Sequence, residues 1–180
     1  MITVTLGTIP YPFNRVIDWI GILIEKGIIS EPVVIQHGVT EISALKKYPQ
    51  VTTFSIVSLS NMVTLVEKSR LVISHAGQGS TRSLAAKKAS FILVPRLARY
   101  GEHIDDHQLL FAQCVESLGV KHCLSLETLE EAIKKPPSPL PCALFDSPKL
   151  VEHLVKCYPA EKPKNTNILE KEKKDLYFIH

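Results

Sequence analysis

The sequence predicts an α/β fold: a largely parallel sheet with helices on both faces. Three observations carry that prediction. Short apolar runs alternate along the chain with amphipathic segments about ten residues long, the rhythm of βαβ units. Several of these runs are apolar at consecutive positions, as in Leu71-Val-Ile73 and Phe91-Ile-Leu-Val94, which suits strands covered on both faces. The loops richest in glycine and polar side chains (Gly7-Thr8, Ser74 to Ser80, Arg96 to Gln108) each follow such a run. They therefore fall at the carboxyl edge of the sheet, where open α/β folds bind ligands.

Taken in order, residues 2–6 are a buried strand ending at Gly7-Thr8. Pro12 is the expected start of a helix, with Phe13, Val16, Ile17, Ile20 and Ile24 at helical spacing and Gly27 as its stop. Val33 to Gln36 is a second strand, and Val51 to Val57 a third after a polar stretch. Asn61 is the expected cap of a helix through Lys68, with Met62, Leu65 and Val66 inward. Leu71 to Ile73 is a strand, Ser80 to Lys88 a helix, and Phe91 to Val94 a strand stopped by Pro95. Asp105 is the expected cap of a helix to Ser117 that offers Leu109, Leu110, Ala112 and Val115 for burial. Gly119 ends it, residues 120–124 suggest a last strand, and Ser125 caps a helix to about Lys134.

The character changes after that point. The expected organisation is a nucleotide-binding α/β domain over 1–134, then a Pro-rich connector and C-terminal helix over 135–160, then a charged tail over 161–180. Pro136 to Pro141 cannot continue a helix and is expected to run extended over the surface. A helix restarts at Asp146 or Ser147 and runs to about Cys157. In the tail, Leu176-Tyr-Phe-Ile179 is apolar enough to dock on a surface.

Length and composition fit one folded domain, with 180 residues, 45% hydrophobic and 22% charged. Much of the net charge of +3 sits in residues 156–180, which carry six Lys against four acidic residues, so it makes no nucleic-acid footprint, although it suits weak attraction to an anionic membrane. Cys114, Cys123, Cys142 and Cys157 are too scattered for a zinc site and read as reduced thiols. The N-terminus lacks the basic segment of a signal peptide, and Val16 to Ile24 contains Asp18 and is too short to span a bilayer. The expectation is a cytoplasmic protein.

The chemistry concentrates in two places. The strand before Ser74 runs into His75-Ala-Gly-Gln-Gly-Ser80, followed by Thr81. Glycines at 77 and 79 let backbone approach a ligand, and the helix start beyond offers unpaired N–H groups to a phosphate. His75 reads either as a histidine satisfied by backbone or as a ligand-facing group. The loop lacks the lysine and spacing of a Walker motif and does not follow the first strand, so it is no dinucleotide fingerprint.

The second place is Arg96 to Gln108, which holds two His, three acids, two Arg and a Gln. Asp106 is expected to cap and orient the helix, while Gln108 offers its amide to sugar hydroxyls. His103, Asp105, Asp106 and His107 have donor types that fit a divalent metal, and imidazole titrates near neutrality. The reading adopted assigns no metal. His75 and His107 remain candidates for a catalytic group, neither of them assigned.

The anchors Val4-Thr-Leu-Gly-Thr8 with Pro12-Phe13, Leu71 to Ser80, Leu93-Val-Pro-Arg96 and Tyr100 to Gln108 resemble a known family. It is the C-terminal, donor-binding half of the two-lobed glycosyltransferases that include the lipid-intermediate N-acetylglucosaminyltransferase of peptidoglycan synthesis. The chain looks closer still to the single-lobe subunits of dolichol-linked and capsular or exopolysaccharide synthesis.

This resemblance implies a Rossmann-like lobe of a GT-B glycosyltransferase that binds UDP-sugar through Gly7, Thr8, His75, Gly77, Gln78, Gly79, Ser80, Thr81, Ser83, Arg96, Asp106, His107 and Gln108. It implies inverting transfer to a lipid-linked acceptor, with no tightly bound cofactor or obligatory metal. It also implies a separate membrane-attached, acceptor-binding subunit that recruits the chain to the cytosolic face of a membrane.

Two departures stand out. The family places a Glu that grips the ribose where this chain has Ser83, and Gly-Lys-Pro where it has Lys88-Ala-Ser90. Serine makes fewer bonds to a diol than a carboxylate does, and the turn after the helix is expected to change. Arg82 offers a compensating charge or points to solvent. The rival reading is a non-catalytic or regulatory subunit of a membrane glycosyltransferase complex.

Overall fold

The computed structural model describes residues 1–141 and Leu144. They belong to the first of two compact units, Met1–Phe145. The helix expected from Asp146 or Ser147 and the apolar cluster at 176–179 lie outside the described residues.

Five parallel strands form one sheet: β1 (Ile2–Thr5), β2 (Val33–Gln36), β3 (Val51–Phe54), β4 (Leu71–His75) and β5 (Phe91–Val94), in the order β3-β2-β1-β4-β5. Among the described residues, five α-helices connect and flank them: α1 (Asn14–Glu25), α2 (Leu59–Lys68), α3 (Gln78–Ala86), α4 (His107–Glu116) and α5 (Leu126–Lys134).

The consecutive apolar residues of the inner strands divide by period two between two cores. Leu71, Ile73, Ile92 and Val94 join the α1 and α5 side chains, such as Ile20, Leu23, Leu129 and Ile133, in one cluster. Val72, Phe91 and Leu93 join Val66 of α2, Leu84 and Ala85 of α3, and Ala112 and Val115 of α4 in the other. The strands are apolar at every position because each face has its own helical layer.

Several boundaries move, each for a local reason. α1 begins at Asn14 and not at Pro12 because Phe13 is held outside helical geometry and donates its N–H to Thr40 Oγ1 at 3.0 Å. α2 is capped by Ser58, whose Oγ accepts from Asn61 N, so the third strand stops at Phe54 and residues 55–57 form a loop. α3 begins two residues earlier than expected, with Gly77 as its N-cap, and ends at Ala86. Lys88 has φ of 51°, so the turn keeps the left-handed geometry that a glycine takes freely.

α4 starts at His107, and its Leu110 is 66% exposed and not core. The expected last strand is reduced to a single parallel bridge between Leu93 and His122. The Pro-rich segment packs on the domain: Ser90 Oγ donates to Pro137 O at 2.7 Å, and Leu140 and Leu144 enter the second core.

Candidate functional site

The strand order reverses between β1 and β4, the point where such sheets open a crevice at their carboxyl ends. Thr5 pairs in register with Ser74, so the loop after Thr5 and the residue His75 meet there. The imidazole of His75 lies between two glycines. A Cβ built on Gly7 would stand 2.9 Å from Nε2, and one on Gly77 only 2.5 Å from it. Nδ1 lies 3.3 Å from Thr5 O, so a proton on Nδ1 is donated to that carbonyl. The glycines at 7 and 77 thus make room for a side chain of the protein itself. Around Gly79 nothing stands within 4 Å, and it alone of the three leaves open space.

Burial, with the Arg96 charge adding to it, pushes the His75 pKa down to about 4 against the hydrogen bond to Thr5 O. The ring is neutral near pH 7, with Nε2 as an acceptor, and too weak a base to abstract a proton efficiently there. A folded pKa below the ordinary 6.5 means that the unfolded chain binds the proton first as pH falls. The stability this group contributes is complete above pH 6.5 and is lost progressively down to about pH 4. The loss is up to about 3 kcal/mol. Urea unfolding between pH 7 and 4.5 should show a smaller fall for His75→Gln than for the native chain. Equal falls would place the titration elsewhere.

A side chain that sequence reasoning passed over organises the neighbouring loop. Gln36 is buried at the end of β2, where its Oε1 accepts from Thr5 Oγ1 at 2.9 Å and from Gly7 N at 3.2 Å. Its Nε2 donates to Gly7 O at 2.9 Å and to Ser55 O at 3.1 Å. All four bonds run to loop or strand ends, so the amide fixes the path after β1. A polar residue closing an apolar strand was the available signal.

Beside this crevice lies a cavity of about 460 Å³, within the usual range for small-molecule sites. Its polar wall includes Thr8, His75, Ser80 and Ser83, and its apolar wall Met62, Val63 and Val66 of α2. The first helical bond of α3 runs from Thr81 N to Gly77 O, so the N–H groups of Gln78, Gly79 and Ser80 precede it. Lys87, one turn beyond Ser83, also lines the cavity, whereas Arg82 does not. The sequence reading gave Lys87 no role.

Of the predicted site residues, Gly7, Thr8, His75, Gly79, Ser80 and Ser83 line the cavity. Gly77 and Gln78 form the helix start beside it. Thr81 is fully buried and donates its hydroxyl to Gly77 O within the first turn of the helix.

Arg96 is also buried, being 1% exposed. Its guanidinium donates to Tyr11 O at 2.8 Å, Glu102 O at 3.1 Å and Leu6 O at 2.7 Å, and lies over the Phe13 ring at 4.5 Å. It ties the loop after β5 to the loop after β1. Glu102 completes the tie through Arg15, at 2.9 and 2.8 Å in a two-pronged pair.

Asp106, His107 and Gln108 do not line the cavity. Gln108 is buried, and its Oε1 accepts from Arg96 N at 3.2 Å. Asp106 stands at the N-cap of α4 yet turns its carboxylate to Ala98 N at 2.8 Å and makes no cap bond. Asp105 instead meets His107, accepting from its backbone N at 3.2 Å and its ring Nδ1 at 2.5 Å. The hydrogen bonds from His107 hold the Asp105 carboxyl below the usual range.

A parallel sheet in this order, with helices on both faces, is the Rossmann-like architecture of a single GT-B glycosyltransferase lobe. The sequence profile of the glycosyltransferase family 28 C-terminal domain matches residues 1–140, and the chain belongs to that family. The crystal structure of Acinetobacter baumannii MurG superposes on it with a TM-score of 0.52 at 17% identity, over 73% of this chain and 40% of that one. The chain thus spans well under half of that structure, and the likeness is one of fold. Comparison with curated proteins returns no match. Among the described residues, no helix is long and apolar enough to cross a membrane.

Proposed function

We propose that this chain is the donor-binding subunit of a two-component inverting glycosyltransferase that moves a sugar from a UDP-sugar to a lipid-linked acceptor. The observation that carries the proposal is the cavity at the strand-order reversal, with a helix start on one side and an apolar wall on the other. The N–H groups of Gln78, Gly79 and Ser80 suit the diphosphate, and the positive end of α3 can take up charge developing on the departing UDP. Met62, Val63 and Val66 suit the face of a nucleobase. Ser83 of α3 and Lys87 just past its end both line the cavity and are placed for the ribose.

The general base for displacement comes from elsewhere, since His75 is held neutral as a weak acceptor. A membrane-attached partner that binds the acceptor supplies it. That partner also brings this chain to the cytosolic face of the membrane.

Titration calorimetry with UDP and UDP-N-acetylglucosamine on the complex with the partner tests the reading. Binding is expected, and Ser83→Glu should tighten UDP about tenfold by adding a charge-assisted bond to the ribose. No detectable binding by the complex would sink it. Unimpaired assembly and function after Ser80→Trp would instead favour a non-catalytic interaction subunit, the reading that Ser83 makes worth testing.

A further inference from the structure

We propose that His103, Asp105 and His107 form a binding site for a divalent transition-metal ion of the zinc class. The donor atoms of these three side chains all lie within 4.8 Å of one another. Asp105 Oδ1 is central, 2.5 Å from His107 Nδ1 and 3.3 Å from His103 Nδ1. The two imidazoles meet edge to face, with centroids 4.4 Å apart and planes at 84°. Bonds of about 2.0–2.1 Å around a tetrahedral zinc set its donors roughly 3.3 Å apart. The two distances from Asp105, 2.5 and 3.3 Å, lie at or below that spacing.

His103 supplies a separate reason. Its Nδ1 is buried and makes no hydrogen bond, although it lies near Asp105, whose Oδ1 is already taken by His107. An imidazole nitrogen withdrawn from water and turned toward a carboxylate and a second imidazole is a ligand in waiting. Two imidazoles with one carboxylate are the donor set of zinc and its neighbours, and leave an open coordination position.

The backbone is fixed in a way that presents these donors. Glu102 is anchored by Arg15, Asp106 by Ala98 N, and Gln108 by Arg96 N. The anchored residues 102, 106 and 108 interleave with the donors at 103, 105 and 107. The loop is held by one set of side chains while the other set remains together and partly open to solvent. This reverses the sequence reading that assigned no metal, and it excludes Asp106 from the group. The site lies outside the cavity proposed for the nucleotide, so it stands or falls independently of that assignment.

The test uses the full, tag-free chain, stripped of metal and titrated with zinc chloride by calorimetry and with cobalt chloride by visible absorption. One equivalent should bind, with cobalt d–d bands and no thiolate charge-transfer band. Asp105→Asn and His103→Gln should each weaken binding at least about tenfold. In nitrogen-15 spectra of the histidines, zinc should shift Nδ1 of His103 and His107 and leave His37, His75 and His122 in place. The assignment is overturned by the absence of stoichiometric binding, by equal binding in both variants, by a thiolate band, or by shifts at other histidines. The histidine spectra decide the matter in the native chain even where a variant unfolds.

Discussion

Arg96→Leu is expected to destabilise the domain by about 3–5 kcal/mol, the cost of breaking a buried charged network on one side. The guanidinium donates to three loop carbonyls at 2.7–3.1 Å, those of Leu6, Tyr11 and Glu102. Leucine fills part of the volume but leaves those oxygens buried without a donor. The charge itself is present in the folded protein, since burial pushes the pKa down only to about 10, with Glu102 opposing the shift.

Arg96→Lys should fall between the two, keeping the charge but reaching fewer carbonyls with a single ammonium. Urea denaturation of the three proteins gives the ranking. The sequence reading of Arg96 as a nucleotide contact makes the opposite forecast: weaker UDP binding at unchanged stability. Measuring both quantities on each variant separates the two roles.

The fold was legible in the sequence because its physical determinants are local or periodic. Apolar runs such as Phe91 to Val94 can be satisfied only between two layers, and the helical spacing of Val16, Ile17 and Ile20 identifies one of those layers. Boundaries failed where a distant partner decided them. Phe13 stays out of α1 because Thr40 takes its N–H, and no residue near Phe13 announces that. Leu110 sits at a core-like spacing, yet it is 66% exposed.

The candidate site was legible to a different degree. Polar residues crowded after β5 looked like ligand contacts, and several are instead contacts between loops: Arg96 with Leu6 and Tyr11, Glu102 with Arg15, Gln108 with Arg96. A side chain that holds a loop and one that holds a ligand have the same chemistry, and only their burial tells them apart. Gln36 and Lys87 were missed for the converse reason. Each lies far in sequence from the glycine loop or looks like ordinary helix-end charge, and the fold brings both to the cavity.

The same ambiguity decides what the glycines are for, and a double-mutant cycle resolves it. Gly77→Ala places a Cβ 2.5 Å from His75 Nε2, closer than real contacts allow, so the ring must leave its position and its bond to Thr5. The expected cost is about 2 kcal/mol, in the range for overpacking a filled site. In a His75→Ala background the three atoms nearest the added methyl, all of them in the imidazole, are gone, and the cost of Gly77→Ala should fall near zero. The coupling is then about 2 kcal/mol, as for directly contacting residues.

Gly7→Ala should behave similarly but keep a residue of about 1 kcal/mol without the imidazole, because its φ of 79° disfavours any Cβ. Gly79→Ala, with nothing within 4 Å, should leave stability close to native and act only on a ligand approaching the helix start. Unfolding free energies of the singles and doubles, beside UDP affinity for each, make the distinction. Were Gly77→Ala to reduce affinity at full stability and show no coupling to His75, the loop would be shaped for its ligand and not for the histidine. The physical reading is that two of the three glycines exist to seat an imidazole, and that the seated imidazole, together with Gln36, holds the edge on which the helix start is presented.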